Sequence, residues 1–359
     1  MSDHPYRNLP DYRLWRKAIS GVPPSDLDPV VTAPYRIGVN DRIVTAGSCF
    51  AQHVARYLRN AGLNFLVTET AHPITPPDLA EEYGYGLFTA RYGNIYTARQ
   101  LVQLFQRAYG QFTPREDYWR EADGRYTDPF RPRIQEDRFQ TLEEYRADRE
   151  HHFACVRRAF EQLDLFVFTL GLTECWISRD DGAAYPICPG TGGGEFDACK
   201  YKFVNFDVAE VTTDLKRFIA LLRSVNRQAR IILTVSPVPL VATAEDTHVL
   251  VATTYSKSVL RVAAETVARS CHDVTYFPSY EIITGSFSRG AYFAEDGRSI
   301  LESGVSHVMR IFMRHFTELP ETKTEPKAQV LDTMTDAHTE KMKQLVAAAC
   351  DEEVLANWS

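Results

Sequence analysis

Two short apolar runs restrict the folds that this chain can adopt. Residues 165–170 (Leu-Phe-Val-Phe-Thr-Leu) and 231–235 (Ile-Ile-Leu-Thr-Val) consist almost entirely of aliphatic, β-branched and aromatic residues. Such runs are typical of strands that are covered on both faces, whereas a half-exposed strand alternates apolar with polar residues. The fold therefore needs a layer of structure on each side of its sheet.

Further runs of this kind alternate with helical patterns along the chain. We predict strands at 42–45, 64–68, 165–170, 230–235 and 274–277, and helices at 51–60, 98–108, 142–163, 208–225 and 254–270. Strands that alternate with helices indicate βαβ units, which build a mainly parallel sheet. The predicted fold class is α/β, with three layers in the order α/β/α.

Composition excludes several classes of protein. A formal net charge of −7 argues against non-specific binding of nucleic acid. Neither a run of about 18 apolar residues nor an apolar segment typical of a signal peptide is present, so we expect no membrane span and a cytoplasmic location. The 7 cysteines are scattered and never in Cys-x-x-Cys spacing, which predicts neither a disulfide framework nor a zinc site.

The 359 residues suit one elaborated α/β domain with extensions. We predict an N-terminal extension over 1–40, the α/β domain over 41–317, and a linker with a C-terminal helix over 318–359 that offers a surface for self-association. Within the domain, residues 112–140 are rich in Arg, Asp, Pro and aromatic residues without clear periodicity. This insertion is either a lid or wall of the substrate site or a packed surface loop.

The stretch 42–51 (Arg-Ile-Val-Thr-Ala-Gly-Ser-Cys-Phe-Ala) passes from a strand pattern directly into a helical one. Ser48 is therefore expected in a turn at the carboxyl edge of the sheet, where open α/β sheets bind ligands. The N–H groups at the start of the following helix would lie beside its hydroxyl. Ser48 is a candidate nucleophile on this basis, and the alternative is that it only caps the helix.

Three other segments place polar groups at the same edge. The strand over 165–170 leads into Gly171, where the backbone must turn or approach a ligand, and then into Thr173, which could donate to an oxyanion. Glu174 follows as a substrate ligand, an orienting acid or an element of the fold. The loop after the strand over 230–235 ends with His248, and the loop before the last core helix contains Asp296.

Gly47-Ser48-Cys49-Phe50-Ala51 resembles the signature of the GSCFA-domain proteins, which are similar to the SGNH (GDSL-like) hydrolases. Gly171-Leu172-Thr173-Glu174, Ser236-Pro237-Val238 and Tyr255-Ser256-Lys257 follow in the expected order over about 41–316. The resemblance implies an SGNH-like fold with flavodoxin-like strand order and Ser48 as the nucleophile. It further implies Gly93, beside Asn94, as the oxyanion-hole glycine, Thr173 in place of a side-chain amide, and Asp296 at the start of a final Asp-x-x-His block.

The histidine of that block is absent, because Ser299 stands three residues after Asp296. We predict that His248 supplies the base, since its loop leaves a central strand at the edge where Ser48 lies, and that Asp296 orients the imidazole. His72 is the reserve candidate. We expect other histidines to be structural or solvated residues, among them His53, His151, His152 and His307.

Two hypotheses about function follow. The first is a serine-dependent esterase or O-acyltransferase that acts on an acylated carbohydrate or related small ester through an acyl-Ser48 intermediate. It would need no metal or cofactor, although a transferase would take its acyl group from a thioester donor. The alternative is a catalytically degenerate SGNH-like module for binding or assembly in polysaccharide or envelope biosynthesis, and the missing histidine favours it.

Overall fold

The computed structural model describes residues 4–319, in which strands and helices alternate. The strands are β1 (Ile43–Gly47), β2 (Trp119–Arg120), β3 (Tyr126–Thr127), β4 (Leu165–Leu170), β5 (Glu174–Ser178), β6 (Ala184–Tyr185), β7 (Tyr201–Asn205), β8 (Arg230–Val235) and β9 (Val274–Tyr276). The α-helices are α1 (Trp15–Ala18), α2 (Phe50–Asn60), α3 (Pro77–Glu82), α4 (Ala98–Ala108), α5 (Leu142–Gln162), α6 (Val208–Val225), α7 (Val249–Ser270), α8 (Ser279–Thr284) and α9 (Glu302–Phe316). The predicted C-terminal helix lies outside the described residues.

The central sheet has the strand order β1-β4-β8-β9, and every pair in it is parallel. The strand predicted at 64–68 is reduced to one parallel bridge between Phe65 and Ile43, on the outer side of β1. It ends there because the Thr68 N–H donates to the Thr89 carbonyl at 2.8 Å and leads the chain away from β1. With this bridge included, the strand order is the expected flavodoxin-like one.

Helices cover both faces of the sheet, which confirms the predicted three layers. Phe166 and Phe168 of β4 point into one core, where they pack against residues of α4, α5 and α6 such as Phe218. Leu165 and Val167 point into the opposite core, which contains residues of α2 and α9. Each such buried side chain contributes about 1.5–3 kcal/mol, so the two cores together hold β4 at the centre of the molecule.

Local caps explain why some helix bounds agree with prediction. α4 and α6 begin and end as predicted, and each starts with a capping box, formed by Thr97 with Gln100 and by Asp207 with Glu210. α7 begins five residues earlier than the predicted 254, because the side chain of His248 caps its first turn. No helix among residues 4–319 is long and apolar enough to cross a membrane.

Two smaller sheets stand beside the central one. The insertion over 112–140 contains the antiparallel pair β2 and β3, and a second antiparallel sheet has the order β6-β5-β7. The sequence analysis did not predict these strands. β5 begins only four residues after β4 ends, so the chain turns out of the parallel sheet directly above its carboxyl edge.

Candidate functional site

Ser48 lies in the turn between β1 and α2, as predicted. Gly47 has φ +142°, and a Cβ added there would lie 2.8 Å from Thr169 Cβ, so only glycine fits between β1 and β4. The Ser48 N–H donates to the Thr169 carbonyl at 3.2 Å, and the Ile95 N–H donates to the Gly47 carbonyl at 2.8 Å. The turn is therefore held from both sides.

The Ser48 side chain lines a small cavity at the carboxyl edge of the sheet. Its Oγ is buried and has no hydrogen-bond partner among the described residues. The other residues that line this cavity, called here the serine cavity, are Cys49, Tyr96, Gly171, Leu172, Ser236, Val238 and Lys257. They follow β1, β4 and β8 or belong to neighbouring segments, so the serine cavity lies where the ends of three parallel strands meet.

Lys257 of α7 is the residue of this cavity whose role the sequence analysis missed. Its side chain is 1% exposed, and its Nζ donates to the Gly171 carbonyl at 2.7 Å. The available signal was its position on the apolar face of α7, in line with Leu260 and Ala264. A lysine is rarely buried on such a face unless polar groups receive its amine.

Gly171 lies directly against the candidate nucleophile. A Cβ added at Gly171 would lie 3.0 Å from Ser48 Cβ and 3.2 Å from the Tyr96 carbonyl oxygen. The N–H groups of Gly171 and Leu172 both donate to that carbonyl at 3.0 Å. Because Gly171 has no side chain, the Ser48 side chain has room beside it.

Thr173 does not have the role predicted for it. Its hydroxyl donates to Asn205 Oδ1 at 2.7 Å, and its N–H donates to Ser256 Oγ at 3.1 Å. A hydroxyl has one proton, so this bond leaves none for an oxyanion. The predicted Ser48 N–H donor is likewise committed, to Thr169.

Glu174 holds the loop that leads to α7. Its carboxylate accepts from the Thr243 hydroxyl at 2.6 Å and from the Ala244 N–H at 3.3 Å. Burial raises the pKa of Glu174, although both hydrogen bonds act in the opposite direction. Of the three roles left open for Glu174, these contacts favour the element of the fold.

Gly93 and Asn94 lie in the segment over 92–96, between the serine cavity and a neighbouring cavity. Gly93 has φ +68°, a conformation that favours glycine, and is partly buried. Asn94 is 2% exposed, and its Oδ1 accepts from Gln52 Nε2 at 3.2 Å. Asn94 lines a neighbouring cavity, while Tyr96, two residues later, lines the serine cavity.

The prediction that His248 is the base is not supported by its position. His248 is exposed, and its Nδ1 accepts from the Leu250 N–H at 3.2 Å. The ring therefore caps its own helix, because position 248 is where α7 begins. The reserve candidate His72 has a similar local role, since its Nδ1 accepts from the Ile74 N–H at 3.2 Å.

Asp296 does not orient a histidine. Its Oδ1 accepts from the N–H groups of Arg298 and Ser299, both at 2.9 Å, and its Oδ2 accepts from the Ser299 hydroxyl at 2.5 Å. Partial burial raises the pKa of Asp296, but these hydrogen bonds outweigh it and leave the pKa below its ordinary value. The carboxylate stabilises its own turn, and Ser299 is its partner where the family pattern has histidine.

Two of the histidines that we expected to be structural or solvated residues are buried. His307 is 4% exposed, with its ring between the Tyr292 hydroxyl at 2.7 Å and the Leu27 carbonyl at 2.8 Å. His152 is 1% exposed and lies 2.7 Å from Glu69. Their partners are distant in sequence, so helical periodicity could not predict the burial.

Comparisons with known proteins agree with the GSCFA signature. A model of the GSCFA family matches residues 42–312. A comparison with curated protein sequences found no significant match. Among solved structures, the chain is similar to a Clostridium thermocellum family 3 carbohydrate esterase, with a TM-score of 0.33 and 12% identity, covering 77% of this chain and 94% of that chain. Because the family model covers more than half of its length, the chain belongs to the GSCFA family.

Proposed function

We propose that this chain is a serine-dependent esterase or O-acyltransferase for an acylated carbohydrate or related small ester, with Ser48 as nucleophile and Lys257 as proton acceptor. The observation that carries the proposal is the buried Ser48 Oγ, which has no hydrogen-bond partner within residues 4–319 and lines the same cavity as the buried Lys257. The substrate class comes from the resemblance to the SGNH hydrolases.

A buried hydroxyl without a hydrogen-bond partner lowers the stability of the fold. A serine with a purely structural role would not require this loss. Leaving such a group without a hydrogen bond costs about 1–3 kcal/mol, and native proteins keep few of them. The Gly47 turn makes the cost greater, because it places the Ser48 side chain in a conformation that only glycine before it allows. A reacting group that must stay available to a substrate accounts for both features.

Lys257 suits the role of base by position and by chemistry. Its Nζ is fixed by the Gly171 carbonyl, and Gly171 lies against Ser48. Serine enzymes in which a lysine replaces histidine form a recognised variant of the catalytic triad, and buried lysines serve as general bases. No histidine lines the serine cavity among the described residues.

The reaction then follows from these two side chains. This role requires the unprotonated amine of Lys257, which accepts the Ser48 hydroxyl proton while Oγ bonds to the acyl carbonyl carbon. The ester C–O bond breaks, and the Lys257 ammonium returns the proton to the leaving alkoxide. Water in an esterase, or an acceptor hydroxyl in a transferase, attacks the acyl-Ser48 ester through the same proton transfers.

The oxyanion of each tetrahedral intermediate needs hydrogen-bond donors other than the Thr173 hydroxyl and the Ser48 N–H, because both already donate to groups of the protein. The start of α2 lies directly after Ser48. The Ala51 and Gln52 N–H groups already donate to the Ser48 and Cys49 carbonyls at 2.8 and 3.1 Å, which leaves the Phe50 N–H as the donor in this turn. The partial positive charge of this helix end also favours a developing negative charge. We therefore assign the oxyanion to the first turn of α2.

Substitution of the two reacting groups tests the proposal. Ser48→Ala should abolish labelling by a fluorophosphonate probe and lower hydrolysis of short-chain aryl esters at least about a thousand-fold, because residues that act as a unit fail together. Lys257→Met keeps the length of the side chain and should cause a similar loss, with little further loss in the double variant. Lys216→Met, at an exposed position of α6, is the matched control and should keep full activity.

The other outcomes are equally informative. His248→Gln should remain active, since His248 caps α7, and a loss as large as that of Ser48→Ala would return the base to His248. If folded wild-type protein is not labelled and hydrolyses no ester, the module for binding or assembly replaces the enzyme.

A further inference from the structure

A second cavity lies beside the serine cavity and has a different chemistry. It is partly open to solvent, and Asn94, Arg107, Phe130, Arg131 and His152 are among the residues that line it. We call it the basic cavity. The segment over 92–96 separates the two cavities, since Asn94 lines one and Tyr96 the other.

His152 lines this cavity, and one of its ring nitrogens has no hydrogen-bond partner among the described residues. Its Nδ1 lies 2.7 Å from Glu69 Oε2, and both side chains are 1% exposed. Burial lowers the pKa of His152 and so favours its neutral form. Burial raises the pKa of Glu69, but the Arg131 charge and the Arg91 N–H, which donates to Glu69 Oε2 at 2.7 Å, act in the opposite direction and favour the ionised carboxylate.

An ionised Glu69 decides which nitrogen of His152 carries the proton. The proton belongs on Nδ1, where it is donated to the carboxylate, and Nε2 is left with a lone pair. Nε2 is buried and has no hydrogen-bond partner among the described residues. This nitrogen therefore offers an acceptor to a ligand that donates a proton, such as a hydroxyl group.

Arg107 supplies a positive charge at the wall of the same cavity. Its guanidinium lies 3.6 Å from the centre of the Phe130 ring, and its side chain is buried. Burial lowers the pKa of Arg107 to about 10, which still leaves it charged at neutral pH. The nearby Asp128 charge opposes this lowering, but within residues 4–319 the guanidinium makes no hydrogen bond to a carboxylate.

The neighbouring arginine differs, because its charge is already matched. Arg131 binds Asp128 at 2.8 Å through Nε and Asp148 at 2.7 Å through Nη2. A buried charge without a hydrogen-bonded counter-ion is costly, so proteins rarely keep one unless a ligand uses it. Arg107 is the cation of this cavity that is left for a ligand.

We infer that the basic cavity binds a small oxyanion that carries a hydroxyl group, with the anionic oxygens on Arg107 and the hydroxyl donating to His152 Nε2. Both a hydroxycarboxylate, such as a sugar acid, and a phosphate group that retains a P–OH proton have this chemistry. Arginine is well suited to either, because its planar fork matches both groups. The inference does not depend on the reactivity of Ser48.

Calorimetric titration of the full chain with two matched pairs of small anions tests the hydroxyl contact. Phosphate carries a proton donor that sulfate lacks, and glycolate carries one that acetate lacks. We expect one site per chain, with the hydroxyl-bearing member of at least one pair binding about tenfold more tightly, the usual scale of one hydrogen bond. The pair that shows this difference identifies the ligand as a phosphate or a carboxylate.

Variants test the charge. Arg107→Gln should weaken the preferred anion at least about tenfold, since a charge-assisted hydrogen bond is lost. Arg99→Gln is the matched control on the same helix, because Arg99 pairs with Asp214 at 2.8 Å and does not line the cavity, and it should bind normally. Ser48→Ala should also bind normally, which separates this site from the proposed esterase activity.

Several results would overturn the inference. They are the absence of saturable binding to the wild type, equal affinity within both pairs of anions, and unchanged affinity in Arg107→Gln. Arg107→Lys, which keeps the positive charge, serves if Arg107→Gln does not fold. The wild-type titrations stand without any variant.

Discussion

At the scale of single residues, buried polar atoms without partners lie at both cavities. Ser48 Oγ lines the serine cavity and His152 Nε2 the basic cavity. By contrast, the hydroxyl of Thr173 and the carboxylate of Asp296 are fully engaged with neighbouring groups. Thr89 Oγ1 and Thr169 Oγ1 are also buried without partners among the described residues but line neither cavity, so Ser48 and His152 are distinguished by an available group together with a cavity.

His53, in the first turns of α2, provides a test of burial by its titration. Burial lowers the pKa of His53 to about 4, with the nearby Arg56 charge acting in the same direction. The unfolded chain, with an ordinary pKa of 6.5, therefore binds more protons between these two values. The stabilising contribution of neutral His53 is complete above pH 6.5 and falls as the pH drops toward 4.

We expect His53→Gln to flatten the decline of unfolding free energy in that pH window by up to about 1.4 kcal/mol per pH unit. Denaturant titrations at several pH values measure it, and NMR titration of the ring measures the pKa directly. A His53 pKa near 6.5 in the folded protein would contradict this.

At the scale of elements, the junction of β1 and α2 determines where the candidate nucleophile stands. β1 ends against β4 so closely that the Gly47 backbone meets Thr169, and α2 begins three residues later. The first turn of α2 and the end of β4 then enclose Ser48. Position 47 must therefore combine a positive φ with the absence of a side chain.

We expect Gly47→Ala to lower the free energy of unfolding by about 3 kcal/mol or more, because both backbone strain and a steric clash result. Gly62→Ala, after the other end of α2, is the control: it also has a positive φ, +76°, but a Cβ there meets nothing within 4 Å. It should cost only about 1–2 kcal/mol. Chemical denaturation of both variants makes the comparison, and equal losses would show that the clash at Gly47 is relieved.

At the scale of the whole molecule, buried ion pairs attach the insertion to the α/β body. Arg131 and Asp128 belong to the insertion over 112–140, and Asp148 belongs to α5. Arg131 also donates to the Arg91 carbonyl, in the segment that leads to Asn94. Of the two interpretations of the insertion, these contacts show packing against the body, while Phe130 and Arg131 also line the basic cavity.

We expect Arg131→Gln to destabilise the protein by about 3–5 kcal/mol, since Asp128 would stay buried without its counter-charge. Hydrogen exchange should show the increase in exchange concentrated in residues 112–140. Arg125→Gln, in the same insertion, is the control, because Arg125 and its partner Asp123 are exposed and such pairs contribute about 0–1 kcal/mol. Uniform exchange across the chain would argue against a separately docked insertion.

Only part of the site could be predicted, because local sequence places some of its residues and contacts between distant segments place the others. Ser48 and Gly171 follow strands directly, so local sequence placed them correctly. Lys257 reaches Gly171 from 86 residues away, and nothing in the local pattern of α7 shows that contact. His248 was predicted from the end of its strand alone, and only the tertiary structure shows its ring capping α7.

The sequence by itself determined the layers, the parallel sheet, the bounds of α4 and α6, and the turn that presents Ser48. These features depend on short-range physics, namely apolar periodicity, capping boxes and the conformational freedom of glycine. The tertiary structure decided which polar groups are paired, as when Glu69 engages His152 from 83 residues away and Leu27 engages His307 from 280. Burial and hydrogen bonding depend on what lies nearby in space, and distant segments of the chain supply those neighbours.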